Sequence, residues 1–170
     1  MSSTAGSFDL DDINDDWQPV DTATLLFIVQ SDNVLLIRKK RGLGAGKING
    51  PGGKIDPGET PRQCIIREVQ EELKITTLDP EPRGEVKFQF TDNYSVHVYV
   101  FTATQFEGTP TETDEADPLW FHKLDIPYRE MWADDVIWLP KVLEGRTVQG
   151  KFIFHKDTML AHEVHFSDQI

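Results

Sequence analysis

The sequence predicts one mixed α/β domain. Segments with β-strand composition lie on both sides of a strongly marked helix, and short polar turns separate several of them. A length of 170 residues suits a single domain with a sizeable core. A composition of 38% hydrophobic and 27% charged residues is ordinary for a soluble globular protein. We therefore expect strands and helices to share one core.

The first 21 residues form an acidic segment ahead of this domain. Residues 1–21 contain six aspartates and no lysine or arginine, so half of the net charge of −12 lies there. Such a composition predicts a mobile tail, and we assign residues 22–170 to the folded domain. Four apolar residues leave the alternative that the tail docks on the domain: Phe8, Leu10, Ile13 and Trp17.

The expected strands follow in chain order. Residues 22–29 and 33–40 form a first hairpin around Ser31 and Asp32, and residues 84–90 and 94–103 form a second one around 91–93. Residues 118–121 form a short strand, and residues 148–155 and 159–166 form two late strands. A second helix is expected over 134–144, with Asp134 or Asp135 as its cap and Gly145 as its stop. Pro140 should disturb the middle of this helix.

The clearest helix begins at Thr60. Threonine is a good capping residue, Pro61 suits the first helical position, and Gln63 completes a capping box. A helical rotation of about 100° per residue places the apolar residues on one side and three glutamates on the other. These glutamates are Glu68, Glu71 and Glu72. Like charges at this spacing repel, and a divalent cation such as Mg²⁺ or Mn²⁺ would remove the repulsion.

A glycine-rich loop precedes this helix. Gly50, Gly52, Gly53 and Gly58 let the backbone approach a ligand closely and direct its own amides and carbonyls toward it. Basic residues surround the loop in an otherwise acidic chain: Lys39, Lys40, Arg41, Lys47 and Lys54. The local positive charge indicates a polyanionic ligand such as a triphosphate, bridged by the metal.

The remaining composition excludes several classes of function. The net charge of −12 argues against a nonspecific nucleic-acid-binding protein, which needs a basic surface. No apolar run approaches the length of a membrane span, and no secretory signal is apparent. With a single cysteine, Cys64, no internal disulfide is possible. We expect a cytoplasmic monomer without a nucleic-acid or membrane partner.

The loop and helix together resemble the motif of the Nudix hydrolases. Gly53 is followed after five residues by Glu59 and after seven more by Arg67-Glu68-Val69-Gln70-Glu71-Glu72. Lys74 stands where the family has a glycine that ends the helix in a left-handed turn. Residues 39–54, 107–115, 120–121 and 126–135 further resemble the branch that hydrolyses 8-oxo-dGTP and other oxidised purine nucleoside triphosphates.

The resemblance implies a Nudix α/β/α sandwich with a central mixed sheet. It also implies metal-dependent hydrolysis of a nucleoside triphosphate to the monophosphate and pyrophosphate, with Mg²⁺ as the cofactor and Mn²⁺ as a possible substitute. The implied metal ligands are the Gly52 carbonyl, Glu68, Glu71, Glu72 and Glu115. Either Glu115 or Glu71 would accept the proton of the attacking water, and Arg67 would orient the carboxylates together with Glu59.

The same resemblance implies a substrate site. The base pocket would be formed by Asn49, Trp132, Asp134 and Asp135, and further substrate contacts would come from Lys39, Gly53 and Lys54. Two alternatives stay open. The protein could be a Nudix hydrolase for canonical nucleotides, dinucleoside polyphosphates or nucleotide sugars, or a Nudix-fold binding module without turnover. The intact set of three glutamates argues against a pure binding module.

Overall fold

The computed structural model describes residues 7–167, in which ten strands and two α-helices form one domain. The helices are α1 (Pro61–Leu73) and α2 (Asp135–Leu143). The strands are β1 (Asp21–Gln30), β2 (Asn33–Lys39), β3 (Ile48–Asn49), β4 (Thr76–Leu78), β5 (Glu81–Phe90), β6 (Ser95–Ala103), β7 (Gln105–Glu107), β8 (Ala116–His122), β9 (Thr147–His155) and β10 (Thr158–Ser167). None of the helices described in this range is long and apolar enough to cross a membrane.

Eight of the strands form a mixed sheet. Its order is β10-β9-β5-β6-β1-β2-β3, and β8 pairs with β2. The pairs β1–β6 and β5–β9 are parallel, and the other pairs are antiparallel. Strands β4 and β7 pair separately beside α1.

Each face of the sheet carries its own core, because successive strand side chains point to opposite faces. On one face, Leu26 and Ile28 of β1 pack in a cluster with Ile65, Val69 and Leu73 of α1. On the other face, Phe27 of β1 belongs to a cluster with Trp138, Leu139 and Val142 of α2. Helices therefore cover both faces of a mixed sheet, and the expected α/β/α sandwich is confirmed.

The two expected hairpins are present. Strands β1 and β2 pair around Ser31 and Asp32, and β5 and β6 pair around Asn93. Both turns use a left-handed residue, Ser31 with φ 55° and Asn93 with φ 76°. Strand β5 begins earlier than expected, at Glu81, because a register shift between Pro82 and Glu85 lets the pairing continue past Gly84.

The second helix runs through its proline. Helix α2 includes Pro140, although we expected a disturbance there. Trp138, Leu139 and Val142 are buried, so core packing holds the short helix together despite the lost backbone hydrogen bond. Asp134 occupies the cap position, but its side chain makes no capping hydrogen bond.

The acidic N-terminal segment docks on the domain where it is described. Ile13 is buried, and the 3₁₀ turn Leu10–Asp12 lies against β9 and β10. Trp17 Nε1 donates to Gln89 Oε1 at 2.9 Å. These contacts favour the docking alternative for residues 7–21, and the mobility of the segment stays a prediction. Residues 1–6 of that expected tail lie outside the described residues.

Candidate active site

Helix α1 positions the acidic cluster, and both of its ends are fixed as the sequence predicts. Thr60 Oγ1 accepts from the Gln63 backbone N–H at 3.1 Å, and Gln63 Oε1 accepts from the Thr60 N–H at 2.9 Å. Lys74 ends the helix in the left-handed conformation, with φ 63° and ψ 32°. The helix therefore stops where the family places its glycine.

Arg67 draws two of the three glutamates and Glu59 together. Its Nη1 lies 2.7 Å from Glu68 Oε2 and 3.1 Å from Glu71 Oε2. Its Nε lies 2.6 Å from Glu59 Oε2. The Arg67 hydrogen bond holds the pKa of Glu59 at about 2. Arg67 therefore joins Glu59, Glu68 and Glu71 in one network of ion pairs, and its orienting role stays a prediction.

Glu72 is the most buried of the three glutamates, whereas Glu71 is half-exposed. Glu72 is only 5% exposed, and the Gly52 N–H donates to its Oε1 at 2.8 Å. Burial raises the pKa of Glu72 to about 8, and the charges of Glu68 and Glu115 act in the same direction. The Gly52 loop thus holds a carboxylate that binds protons more readily than usual, because burial and two neighbouring acids disfavour its charged form.

The loop glycines provide close approach to strand β1 and to the helix. A Cβ on Gly53 would lie 2.1 Å from Glu68 Oε1, so a larger residue would displace that carboxylate. The carbonyls of Pro51 and Gly53 accept backbone N–H groups of β1 at 2.8 and 2.9 Å. Gly52 lies between these two paired residues with φ 152°, and a Cβ there would meet the Thr24 carbonyl oxygen.

Glu115 lies near this cluster but has a different partner. Its Oε1 accepts from Arg41 Nη2 at 3.0 Å, while its charge raises the pKa of both Glu68 and Glu72. Among residues 7–167, no three acidic, histidine or cysteine side chains already converge as a metal site. The expected ligands are therefore neighbours in this structure without a shared coordination geometry, because Arg67 and Arg41 hold three of them.

A cavity of about 570 Å³ connects the acidic cluster with the predicted base pocket. Nine of the residues proposed from the sequence line it: Lys39, Asn49, Gly52, Gly53, Lys54, Glu72, Trp132, Asp134 and Asp135. Of the other predicted residues, Glu68, Glu71 and Arg67 lie on α1 beside Glu72. The structure thus brings segments far apart in the chain to one cavity.

Two lysines face the Glu72 end of the cavity. Burial lowers the pKa of Lys39, and the Glu72 charge partly opposes that shift. The Lys39 Nζ donates to the Leu43 carbonyl at 2.8 Å. Lys54 is more exposed and lies 3.2 Å from Asp21 Oδ2. Positive charge therefore lies beside the carboxylates, where a polyanion could pair with it.

The lining of the cavity also contains two buried aspartates. Asp134 and Asp135 are 1% and 4% exposed. Trp138 Nε1 donates to Asp134 Oδ2 at 2.8 Å, whereas Asp134 Oδ1 and Asp135 Oδ2 are buried without a hydrogen-bond partner among the described residues. Burial raises the pKa of both carboxyl groups, and the Asp134 charge raises that of Asp135 further.

The sequence did not indicate the apolar walls of the cavity. Phe88 and Phe90 of β5 and Val96 and Val98 of β6 line it, with Tyr94 beside them. Alternation along β5 and β6 gives these residues one common face, but the pattern alone does not distinguish a cavity wall from a core. Leu43 also lines the cavity and is 48% exposed.

The family model of the NUDIX domain matches residues 19–142 of the chain. The chain belongs to the NUDIX family. An oxidized purine nucleoside triphosphate hydrolase of Danio rerio is 42% identical over 143 residues, which are 83% of this chain and 92% of the relative. Its counterpart in Mus musculus is 37% identical, over 85% of this chain and 94% of the relative. The crystal structure of a MutT protein from Bacillus halodurans has a TM-score of 0.76 at 29% identity and covers 85% of this chain and 97% of its own.

NUDIX hydrolases in general depend on a divalent metal. The donor set of this chain fits such a cation, because its side-chain donors are carboxylate oxygens of the kind that hard divalent ions prefer. The strongest indication is Glu72, a buried carboxylate whose pKa is raised to about 8 by burial and by two neighbouring acids. A cation at this position would favour the charged form, which burial disfavours.

Proposed function

We propose that this protein hydrolyses oxidised purine nucleoside triphosphates such as 8-oxo-dGTP to the monophosphate and pyrophosphate, and so removes damaged nucleotides from the nucleotide pool. The observation that carries the proposal is one shared cavity, which is lined both by two buried aspartates and by Glu72 and Lys39. The names of the relatives from Danio rerio and Mus musculus support the same substrate class. The monomeric state and the cytoplasmic location expected from the sequence remain part of the proposal.

The aspartate pair suits the edge of an oxidised guanine. That edge offers an acceptor at O6 and donors at N1 and N2, whereas two ionised aspartates can only accept. One carboxyl group must therefore be protonated and donate to O6. The hydrogen bond from Trp138 stabilises the charge on Asp134, so we assign the proton to Asp135. Trp132 would stack on the base, and Asn49 would add a hydrogen bond.

The triphosphate would lie toward the acidic cluster, with Lys39, Lys54 and the Gly53 backbone as further contacts. Glu68, Glu71, Glu72, Glu115 and the Gly52 carbonyl are the residues proposed to hold Mg²⁺, for which Mn²⁺ can substitute. A bound divalent cation polarises the phosphates and lowers the pKa of an attacking water. Glu115 and Glu71 both remain candidates to accept the proton of that water, and Arg67 orients the carboxylates.

The test is steady-state kinetics of Asp134→Ala and Asp135→Ala on 8-oxo-dGTP and dGTP, with pyrophosphate release as the readout. Loss of a hydrogen bond to a charged group costs about 1.5–3 kcal/mol, so kcat/KM for 8-oxo-dGTP should fall about 10- to 200-fold. Mg²⁺ dependence should not change. Asp125→Ala, an exposed position outside the cavity, is the matched control.

Two results would contradict the proposal. If both aspartate variants keep the wild-type selectivity between 8-oxo-dGTP and dGTP, the pair does not read the base. If the wild-type protein releases pyrophosphate from canonical nucleotides or cleaves nucleotide sugars but leaves 8-oxo-dGTP intact, the substrate class is wrong.

A further inference from the structure

The side chain of Trp132 is held in one orientation by its neighbours. The rings of Phe90 and Phe154 meet it edge to face, at centroid distances of 5.9 and 5.5 Å and interplanar angles of 75° and 85°. A Cβ on Gly44 would lie 2.8 Å from Trp132 Nε1, so the loop before β3 packs directly against the indole. The ring thus has little room to rotate.

Lys47 completes this enclosure with a positive charge. Its Nζ lies over the Trp132 ring, 5.2 Å from the centroid. Trp132 lines the cavity, but Lys47 is not among the lining residues. The ammonium therefore contacts the indole from outside the space that the base would occupy.

Asp157 holds the lysine in this position. Its Oδ2 lies 3.6 Å from Lys47 Nζ, and the Lys47 side chain is only 26% exposed. Asp157 belongs to the turn between β9 and β10, which is far from Lys47 in the chain. The turn and the loop before β3 thus meet through this ion pair at the indole.

We propose that Lys47 is a positioning residue for substrate, which fixes the indole of Trp132 as a stacking surface and is itself fixed by Asp157. The inference rests on the proposed function, in which Trp132 stacks on the base. A cation over an indole face is attracted by the ring quadrupole. A ring that is already ordered loses less conformational freedom when a ligand binds. Lys47 should therefore affect substrate affinity more than turnover.

A different explanation has to be separated from this one. Any lysine near the cavity could raise affinity by attracting the triphosphate through long-range electrostatics. Lys123 offers a matched control, because its Nζ also pairs with a turn aspartate, Asp32, at 3.3 Å. It is not among the residues that line the cavity.

The first experiment measures KM and kcat for 8-oxo-dGTP. Lys47→Met keeps the aliphatic stem and should raise KM about 3- to 10-fold with kcat within about twofold of wild type. Lys47→Arg keeps the positive charge and should have the wild-type KM. Asp157→Asn should raise KM, but by less than Lys47→Met does. Lys123→Met should have no effect. An unchanged KM in Lys47→Met, or an equal rise in Lys123→Met, would overturn the inference.

The second experiment tests whether Lys47 acts through the indole. In a Trp132→Leu background, Lys47→Met should cause no further rise in KM, since residues that act through one contact are non-additive. The Kd of 8-oxo-dGMP, measured without metal, should rank the variants in the same order as KM does. The use of a monophosphate without metal removes most of the phosphate contribution to binding. A full Lys47→Met effect without the indole refutes the inference alone. An unchanged KM in Trp132→Leu refutes base stacking in the proposed function, and the inference with it.

Discussion

Glu72→Gln should make the metal-free protein more stable while it abolishes most of the activity. The substitution keeps the shape of the side chain and an oxygen that can accept from the Gly52 N–H. It removes a charge from a position that is 5% exposed. In wild type that charge is unfavourable without a cation, because burial and two neighbouring acids raise the pKa of Glu72 from 4.5 to about 8.

The size of the effect follows from the pKa. A carboxyl group whose folded pKa is raised loses its stabilising contribution as pH rises from the unfolded toward the folded value. At about pH 7.5 the fold keeps Glu72 largely protonated, whereas the unfolded chain ionises it, and this difference costs the fold up to about 4 kcal/mol. At about pH 5 the same difference costs only about 1 kcal/mol. Glu72→Gln removes this cost, so its advantage over wild type should grow across that range.

The assay is urea unfolding of both proteins in a chelator at these two pH values. Glu71→Gln is the control, because that carboxylate is half-exposed, and its effect on stability should be small. Added Mg²⁺ should stabilise wild type and reduce the advantage of Glu72→Gln. The kcat of Glu72→Gln should fall at least about 100-fold. Equal stability of wild type and Glu72→Gln at the higher pH, or near wild-type turnover, would refute this account of the acidic cluster.

Three further predictions concern other parts of the molecule. Lys74→Gly should raise the free energy of unfolding by about 1 kcal/mol, because Lys74 is left-handed; thermal unfolding measures this, and destabilisation would contradict it. Deletion of residues 1–18 removes the buried Ile13 and should cost at least about 2 kcal/mol; an unchanged melting temperature would show that the segment does not dock. Burial raises the pKa of Asp135, so binding of 8-oxo-dGMP should weaken as pH rises, because the proton donor is lost. Calorimetry should show this fall of affinity with pH in wild type and not in Asp135→Asn.

The acidic helix was predictable because its signals are local. The capping box and the apolar stripe lie within fourteen residues, and both appear where the sequence placed them. The left-handed conformation of Lys74 is the one that the resemblance implied for this position. The separation of Glu72 from Glu68 and Glu71 was not predictable in this way. Helical periodicity gives the direction of a side chain from its own helix, but the Gly52 loop determines whether that direction leads to solvent or to a buried contact.

Long-range contacts account for the other differences. Strands β3, β4 and β7 have two or three residues each, too few for a period-two pattern to register. The docked N-terminal segment depends on a surface formed by β9 and β10, more than a hundred residues further along the chain. Composition alone suggested mobility there, because residues 1–21 contain six aspartates and no lysine or arginine. A single buried isoleucine can nevertheless fix the position of such a segment.

The carboxyl groups that line the cavity share one physical feature, which is burial at a cost. Glu72 has a raised pKa and accepts a backbone hydrogen bond from Gly52. Asp134 and Asp135 each keep a buried oxygen without a partner among the described residues. The core clusters on both sheet faces must supply the free energy that offsets the cost of burying these groups. A cation bound at Glu72 and a base bound at Asp134 and Asp135 would each satisfy a buried charge. The two ligands should therefore stabilise the fold separately, and their effects on the unfolding free energy should be close to additive.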